Sequence, residues 1–230
     1  TAECVAAMNG NLSVEGTGVR LFDNLAECDP PGRCVLVDFS APAATARFAA
    51  EAASAGVGIV CGTTGLSPAA NDALAAAASR VPVLVAANMS LGVNVLLDVA
   101  RRLAATLADY DLEIVETHHR RKKDSPSGTA LALARAAAEG RGVVLDDVAA
   151  YGREGMVGER PSGEIGIHAV RGGDVVGDHM MIFATDGERV EIGHRASSRD
   201  TFAAGALRAA AFLCGRPAGG YTMRDVLGLD

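Results

Sequence analysis

The stretch Thr117–Ala130, THHRRKKDSPSGTA, gathers two adjacent histidines, four consecutive cations and a Gly-Thr pair within an otherwise acidic chain. His118 and His119 are groups that gain or lose a proton near neutral pH, and Lys122 lies four residues beyond the first. A reaction that protonates a carbon or nitrogen centre would use them. Behind them DSPSGTALALA reads as a helix start, with Pro126 and Ser127 at its boundary and an alanine-leucine run following. Amides of Gly128 and Thr129 at that end offer an anion both donors and a favourable dipole, and Gly128 lets an oxyanion come close to the backbone. Arg120, Arg121, Lys122 and Lys123 add positive charge that only Asp124 offsets locally. The physical target is a small anion, a carboxylate or a phosphate.

Spacing alone leaves other readings open. Neighbouring side chains of an extended strand point to opposite faces, so both histidines reach one pocket only if the chain turns there. A charge run often only solvates a surface, which would leave a basic loop with one packed histidine. A metal pair lacks a third ligand at recognisable spacing, so no metal is expected. His168, His179 and His194 stand isolated and are read as structural.

The elements that carry this loop follow from periodicity. CVLVDFS (34–40), GVGIVCGTTG (56–65) and VPVLVAAN (81–88) are short apolar runs, each followed by a helix-forming segment. Ser67 and Pro68 mark the start of the second helix, and the third spans about 91–107. Apolar strands separated by helices predict a parallel sheet covered on both faces, with ligands beyond the carboxyl ends of the strands, at GTTG (62–65) and AANMS (86–90). After about Ser90 the pattern changes. DLEIVETHH reads as a strand, 126–140 as a helix, and GIHAVRGGDVVGDHMMIFA with RVEIGHRASS as two long antiparallel strands around a turn at ATDGE. A helix over about 199–214 returns to the alanine-rich style of the first part, so the C-terminal segment is expected to dock back on it. GREGMVGERPSGEIG (152–166) is a glycine-rich loop long enough to act as a lid.

Global properties agree. At 230 residues the chain suffices for one large domain or two modest ones. A formal net charge of −7 argues against a nucleic-acid or anionic-membrane surface. The scattered cysteines (Cys4, Cys28, Cys34, Cys61, Cys214) form no C-x-x-C pair and fit a reducing cytoplasm. The sequence shows neither a membrane span nor a leader, and no membrane or nucleic-acid partner is expected.

ETHHRRKKDSPSGTA resembles the signature of the 4-hydroxy-tetrahydrodipicolinate (dihydrodipicolinate) reductase family, nicotinamide-dependent enzymes of lysine and diaminopimelate biosynthesis. DFSAP (38–42), GTTG, AANMSLGVN (86–94), the 152–166 loop, RGGDVVGDH (171–179) and ASSRDTFAAGALRAA (196–210) match in the same order. The resemblance implies His118 and Lys122 as proton-transfer residues, and His119, Gly128 and Thr129 as contacts to a small cyclic dicarboxylate. It implies Gly62, Thr63, Thr64, Ala86, Ala87, Asn88 and Met89 as contacts to NADPH or NADH, and a homotetramer built through the second domain's sheet. The fold class expected is α/β, with a Rossmann-like parallel-sheet dinucleotide domain over 1–89 and 200–230 and an α+β substrate-binding and oligomerisation domain with a mixed sheet over 90–199.

One part of the family pattern is not found. The family opens on a strand and a G-x-x-G-x-x-G loop that cradles the pyrophosphate, whereas this sequence opens on TAECVAAMNGN, which resembles the family's second strand. The first βα unit is therefore expected to be missing. Asn9 and Gly10 stand where an acidic residue or an arginine would read the adenosine ribose, so the choice between NADH and NADPH stays open. Two other readings stand beside the reductase: a non-catalytic dicarboxylate-binding or scaffold protein unable to hold the dinucleotide, and a dehydrogenase of another amino-acid-derived imine.

Overall fold

The computed structural model describes residues 24–25 and 34–229. The strand-like opening at residues 1–11, with Asn9 and Gly10, lies outside them. The chain divides into two units, Thr1–Met89 with Ala203–Asp230, and Ser90–Phe202.

In the first unit the alternation of strand and helix is realised: β1 (Val35–Asp38), α1 (Pro42–Ala55), β2 (Gly58–Cys61), α2 (Pro68–Ala78) and β3 (Pro82–Val85). Each helix starts where its sequence dictates. Pro42 and Pro68 occupy the first helical turn, where a missing N–H costs nothing, and the Ser67 hydroxyl accepts from the Ala70 amide at 3.2 Å. The four-stranded sheet runs β1-β2-β3-β9 and is parallel throughout, the last strand being β9 (Gly219–Tyr221). β2 is buried along its whole length, and Ile59 packs with Ala49 and Ala52 of α1 and Leu74 and Ala77 of α2. The alanines bring the helices close to the sheet where aromatic residues are few. Two further helices complete the C-terminal region, α6 (Asp200–Leu213) and α7 (Met223–Leu227).

The second unit comprises α3 (Leu91–Thr106), β4 (Asp111–His118), α4 (Gly128–Arg141), α5 (Leu145–Val148), β5 (Ala149–Tyr151), β6 (Ile165–Arg171), β7 (Gly177–Thr185) and β8 (Glu188–Ala196). Its mixed sheet runs β5-β6-β4-β7-β8, with β5, β6 and β4 parallel and β7 and β8 antiparallel. The single long strand expected from Gly166 to Ala184 is instead two strands, with β4 inserted between them. Gly172, Gly173 and Asp174 reverse the chain, Gly173 at φ 53°. That reversal passes over the end of β4. Gly172 N–H donates to the His118 carbonyl (3.0 Å), His119 N–H to the Val175 carbonyl (2.7 Å) and Arg120 N–H to the Gly173 carbonyl (3.2 Å).

Alternation along β4 buries Leu112, Ile114, Glu116 and His118 on one side. The first two join Ile165, Ile167, Met181 and Phe183 in a core closed by Ala100 and Ala104 of α3 and Leu133, Ala134 and Ala137 of α4. Val115, Met180 and Ile182, on the alternate face, remain half-exposed. α3 and α4 meet backbone to backbone: a Cβ added at Gly140 would lie 2.1 Å from the Arg101 carbonyl oxygen. Gly140→Ala is expected to cost about 1–3 kcal/mol despite alanine's better helix propensity, because two packed helices must separate. A denaturant midpoint no lower than that of the parent protein would show that they yield freely.

The 152–164 loop joins β5 to β6, and two of its arginines anchor it. Arg153 grips the Glu113 carboxylate with both guanidinium nitrogens (3.0 and 2.8 Å), and Arg160 adds its Nε (2.8 Å) while bonding the Leu112 carbonyl (3.1 Å). His168 Nε2 closes on the same carboxylate at 2.5 Å. Burial pushes the Glu113 carboxyl up, but these donors outweigh it and hold it at about 2. Met156 and Val157 at the loop's centre are exposed. No helix among the described residues is long and apolar enough to cross a membrane.

Candidate active site

The second unit brings most of its predicted site residues to one end of β4. Glu116 and His118, two apart on the strand, share the buried face, and the chain turns immediately afterwards, with Lys122 N–H donating to the His119 carbonyl at 3.1 Å. Ser127 then caps α4: its hydroxyl accepts from the Ala130 amide at 3.1 Å, leaving Gly128 and Thr129 in the helix's first turn. Gly128 is exposed, and a Cβ built on it meets nothing within 4 Å. The Gly128 end of α4 is therefore accessible to an anion, and the helix dipole favours one there.

The protonic groups lie close by. His118 Nδ1 is 2.6 Å from Glu116 Oε2, and its ring stands edge-on to that of His179 with centroids 5.2 Å apart. His179 Nε2 lies 3.0 Å from the Ser127 hydroxyl, so histidine and helix cap are joined. Burial, with the His118 charge second, presses the His179 imidazole down to about 4 and keeps it neutral at physiological pH. Lys122 is half-buried, its ammonium 2.9 Å from the Asp124 carboxylate. Arg120, Arg121 and Lys123 are exposed. His119 is half-buried, and its Nδ1 has no hydrogen-bond partner.

Three residues of the site, Glu116, Arg171 and His179, escaped the sequence reading. Glu116 and Arg171 form a bidentate pair (2.7 and 2.8 Å) directly behind His118, and Ser127 links the pair to α4. His179 is not isolated: it is buried against His118 and Ser127. Register pairs it with Glu116 on one side and with His194 on the other, and both histidines line a cavity of about 410 Å³ together with Thr117, Asp178 and Arg195. His118, His119 and Lys122 do not line that cavity. Only the i, i+2 spacing of Glu116 and His118 signalled any of this in the sequence; the rest depends on strand pairing.

In the first unit, the carboxyl ends of the strands are organised by Asp38. This buried carboxylate accepts from the Ser40 amide (3.0 Å) and hydroxyl (2.5 Å), the Thr45 hydroxyl (2.6 Å) and the Thr63 hydroxyl (3.1 Å). Burial pushes it up, yet the hydroxyl and amide donors prevail and hold it below the ordinary carboxylate value. Thr63 is thus committed to the loop, since its oxygen also accepts from the Ser40 amide (3.0 Å). Met89 is 1% exposed and belongs to the interior. Thr64 and Ala87 are exposed, Ala86 and Asn88 half-buried, and Gly62 gives way to the Phe39 ring, which a Cβ would meet at 2.3 Å. Small side chains leave backbone accessible at these turns, which fits a nucleotide held by main-chain groups. No group of three or more His, Cys, Asp or Glu side chains among the described residues is disposed to bind a metal.

A parallel-sheet unit with an open carboxyl edge, joined to a mixed-sheet unit with a carboxylate-backed histidine at a helix start, defines a two-domain α/β oxidoreductase. The family models for the C-terminus and N-terminus of dihydrodipicolinate reductase match residues 92–227 and 3–89. The chain belongs to the dihydrodipicolinate reductase family, pyridine-nucleotide-dependent enzymes of lysine biosynthesis. It is 52% identical over 213 residues to the 4-hydroxy-tetrahydrodipicolinate reductase of Anaeromyxobacter sp. (strain Fw109-5), covering 92% of this chain and 79% of that protein. The enzyme of the same name from Thiobacillus denitrificans is 54% identical with the same coverage, and that of Rubrobacter xylanophilus 56% identical, covering 88% of this chain and 76% of that protein. The dipicolinate-bound dihydrodipicolinate reductase of Paenisporosarcina sp. TG-14 shares the fold at a TM-score of 0.71 and 24% identity, over 93% of this chain and 80% of that one.

Proposed function

We propose that this chain reduces 4-hydroxy-tetrahydrodipicolinate to tetrahydrodipicolinate, with NADPH or NADH as reductant. The observation that carries the reading is the pairing, within one turn of chain, of a carboxylate-backed histidine and an unobstructed helix start. The reduced nicotinamide, when bound, supplies a hydride. Everything else falls to side chains and amides of this chain. Gly128 and Thr129 hold one ring carboxylate at the α4 start, His119 contacts the ring, and His118 with Lys122 moves the proton that the reduction requires. The Asp124 carboxylate, 2.9 Å from the Lys122 ammonium, positions that side chain in the turn. Gly62, Thr64, Ala86, Ala87 and Asn88 hold the nucleotide. Thr63 contributes through its backbone and Met89 from beneath.

Half-exposed Val115, Met180 and Ile182 on one face of the mixed sheet support a homotetramer assembled through this unit, and free Cys34, Cys61 and Cys214 support a cytoplasmic location. The alternative of a non-catalytic dicarboxylate binder or scaffold is not favoured, since curated relatives over most of the chain bear the reductase name.

The test is nicotinamide oxidation followed at 340 nm, with substrate generated from pyruvate and aspartate semialdehyde, in NADH and in NADPH. Substrate-dependent oxidation is expected, and its absence with both nucleotides would overturn the reading. Gly128→Ala separates binding from folding. Open space around this position means the alanine costs the fold nothing, so stability is expected to be unchanged. The methyl group intrudes where the carboxylate sits, and affinity for pyridine-2,6-dicarboxylate is expected to fall about tenfold. Calorimetric titration giving an unchanged dissociation constant would remove Gly128 from the site.

A further inference from the structure

We infer that Glu116 is a positioning residue, whose buried carboxylate fixes His118 with its proton on Nδ1 and ties that imidazole to the start of the anion-holding helix. The inference rests on the reading of His118 as the proton-transfer group and adds the device that makes it one. Glu116 is fully buried and receives four donors. Oε2 takes His118 Nδ1 at 2.6 Å and one Arg171 nitrogen at 2.7 Å; Oε1 takes the Ser127 amide at 2.9 Å and the other Arg171 nitrogen at 2.8 Å. An ionised carboxylate only accepts, so Nδ1 must carry a proton and Nε2 is left as the exchanging atom. Burial pushes the Glu116 carboxyl up, but Arg171, His118 and Ser127 together hold it below its ordinary value. Nε2 faces Gly177, where a Cβ would stand only 3.0 Å away. Arg171 extends the same link to the Lys122 turn, since its second nitrogen also donates to the Asp124 carbonyl at 2.9 Å. The charged and titratable groups around the imidazole are thus Glu116 on β4, Arg171 at the end of β6, His179 on β7 and Lys122 in the turn.

A purely structural carboxylate would bridge strands and leave the tautomer and rate untouched, which provides the test. In the full chain labelled with ¹⁵N-histidine, long-range nitrogen–proton spectra at alkaline pH report which nitrogen of His118 is protonated, the signal being assigned by its loss in His118→Gln. The expected wild-type state is Nδ1–H. In Glu116→Gln the carboxamide NH₂ faces Nδ1 and moves the proton to Nε2. Turnover is expected to fall on the order of 10²–10⁴-fold, with the pH profile of kcat displaced and KM little changed. An Nε2–H tautomer in the wild type, or an unchanged rate and pH profile in Glu116→Gln, would overturn the inference. Should that variant not fold, the wild-type tautomer alone decides. Should the wild type turn over no substrate but show Nδ1–H, the reductase reading falls and the positioning role stands.

Discussion

His118→Gln is expected to lower kcat on the order of 10²–10⁴-fold while leaving the protein folded and able to bind pyridine-2,6-dicarboxylate, as befits loss of a general acid–base group. The fold survives because Glu116 keeps three of its four donors, the Ser127 amide and both Arg171 nitrogens, so no buried charge is stranded. Binding survives because the anion is held by the α4 start, whose cap depends on Ser127 and not on His118. Steady-state kinetics beside a calorimetric titration of the dicarboxylate check both halves. A fall in affinity as large as the fall in rate would make His118 a binding group.

The second large effect concerns acid stability. His179 has its imidazole depressed to about 4 in the folded protein, by burial first and by the His118 charge second, with His194 and Lys122 adding to the repulsion and Glu116 opposing it. The unfolded chain takes up this proton near 6.5, whereas the folded chain refuses it until about 4. Stability from this residue is therefore complete above pH 6.5 and is lost as pH falls through that window, at about 1.4 kcal/mol per unit, or about 3 kcal/mol in all. His179→Gln, whose amide reaches the Ser127 hydroxyl without titrating, is expected to lose about 3 kcal/mol less than the wild type between those pH values. Glu113 and Glu116 are depressed in both proteins and cancel in the comparison. Urea unfolding across the window measures it, and parallel curves would mean that His179 is protonated in the folded state at a normal pH.

Local signals made much of this molecule legible. Apolar runs at 34–40, 56–65 and 81–88 became β1, β2 and β3, and Ser67-Pro68 and Ser127 mark helix starts because capping depends on neighbours three residues away. Segments whose state depends on distant partners were not legible. GGY at 219–221 has no strand signature and is a strand only because β3 offers it an edge. The run from 166 to 184 looks continuous until β4 separates its halves. Within the site, His118, Lys122 and Gly128 declared themselves by spacing. His179 and Arg171 did not, because they reach Glu116 across strands, from residues fifty or more positions away.

The first sheet's edge carries a consequence for synthesis. β9 closes the free edge of β3, yet the whole second unit is encoded between them. At elongation rates of about 5–20 residues per second, the nascent chain exposes unpaired β3 amides and carbonyls for roughly ten seconds after that strand emerges. The whole mixed-sheet unit thus leaves the ribosome before β9 can pair with β3.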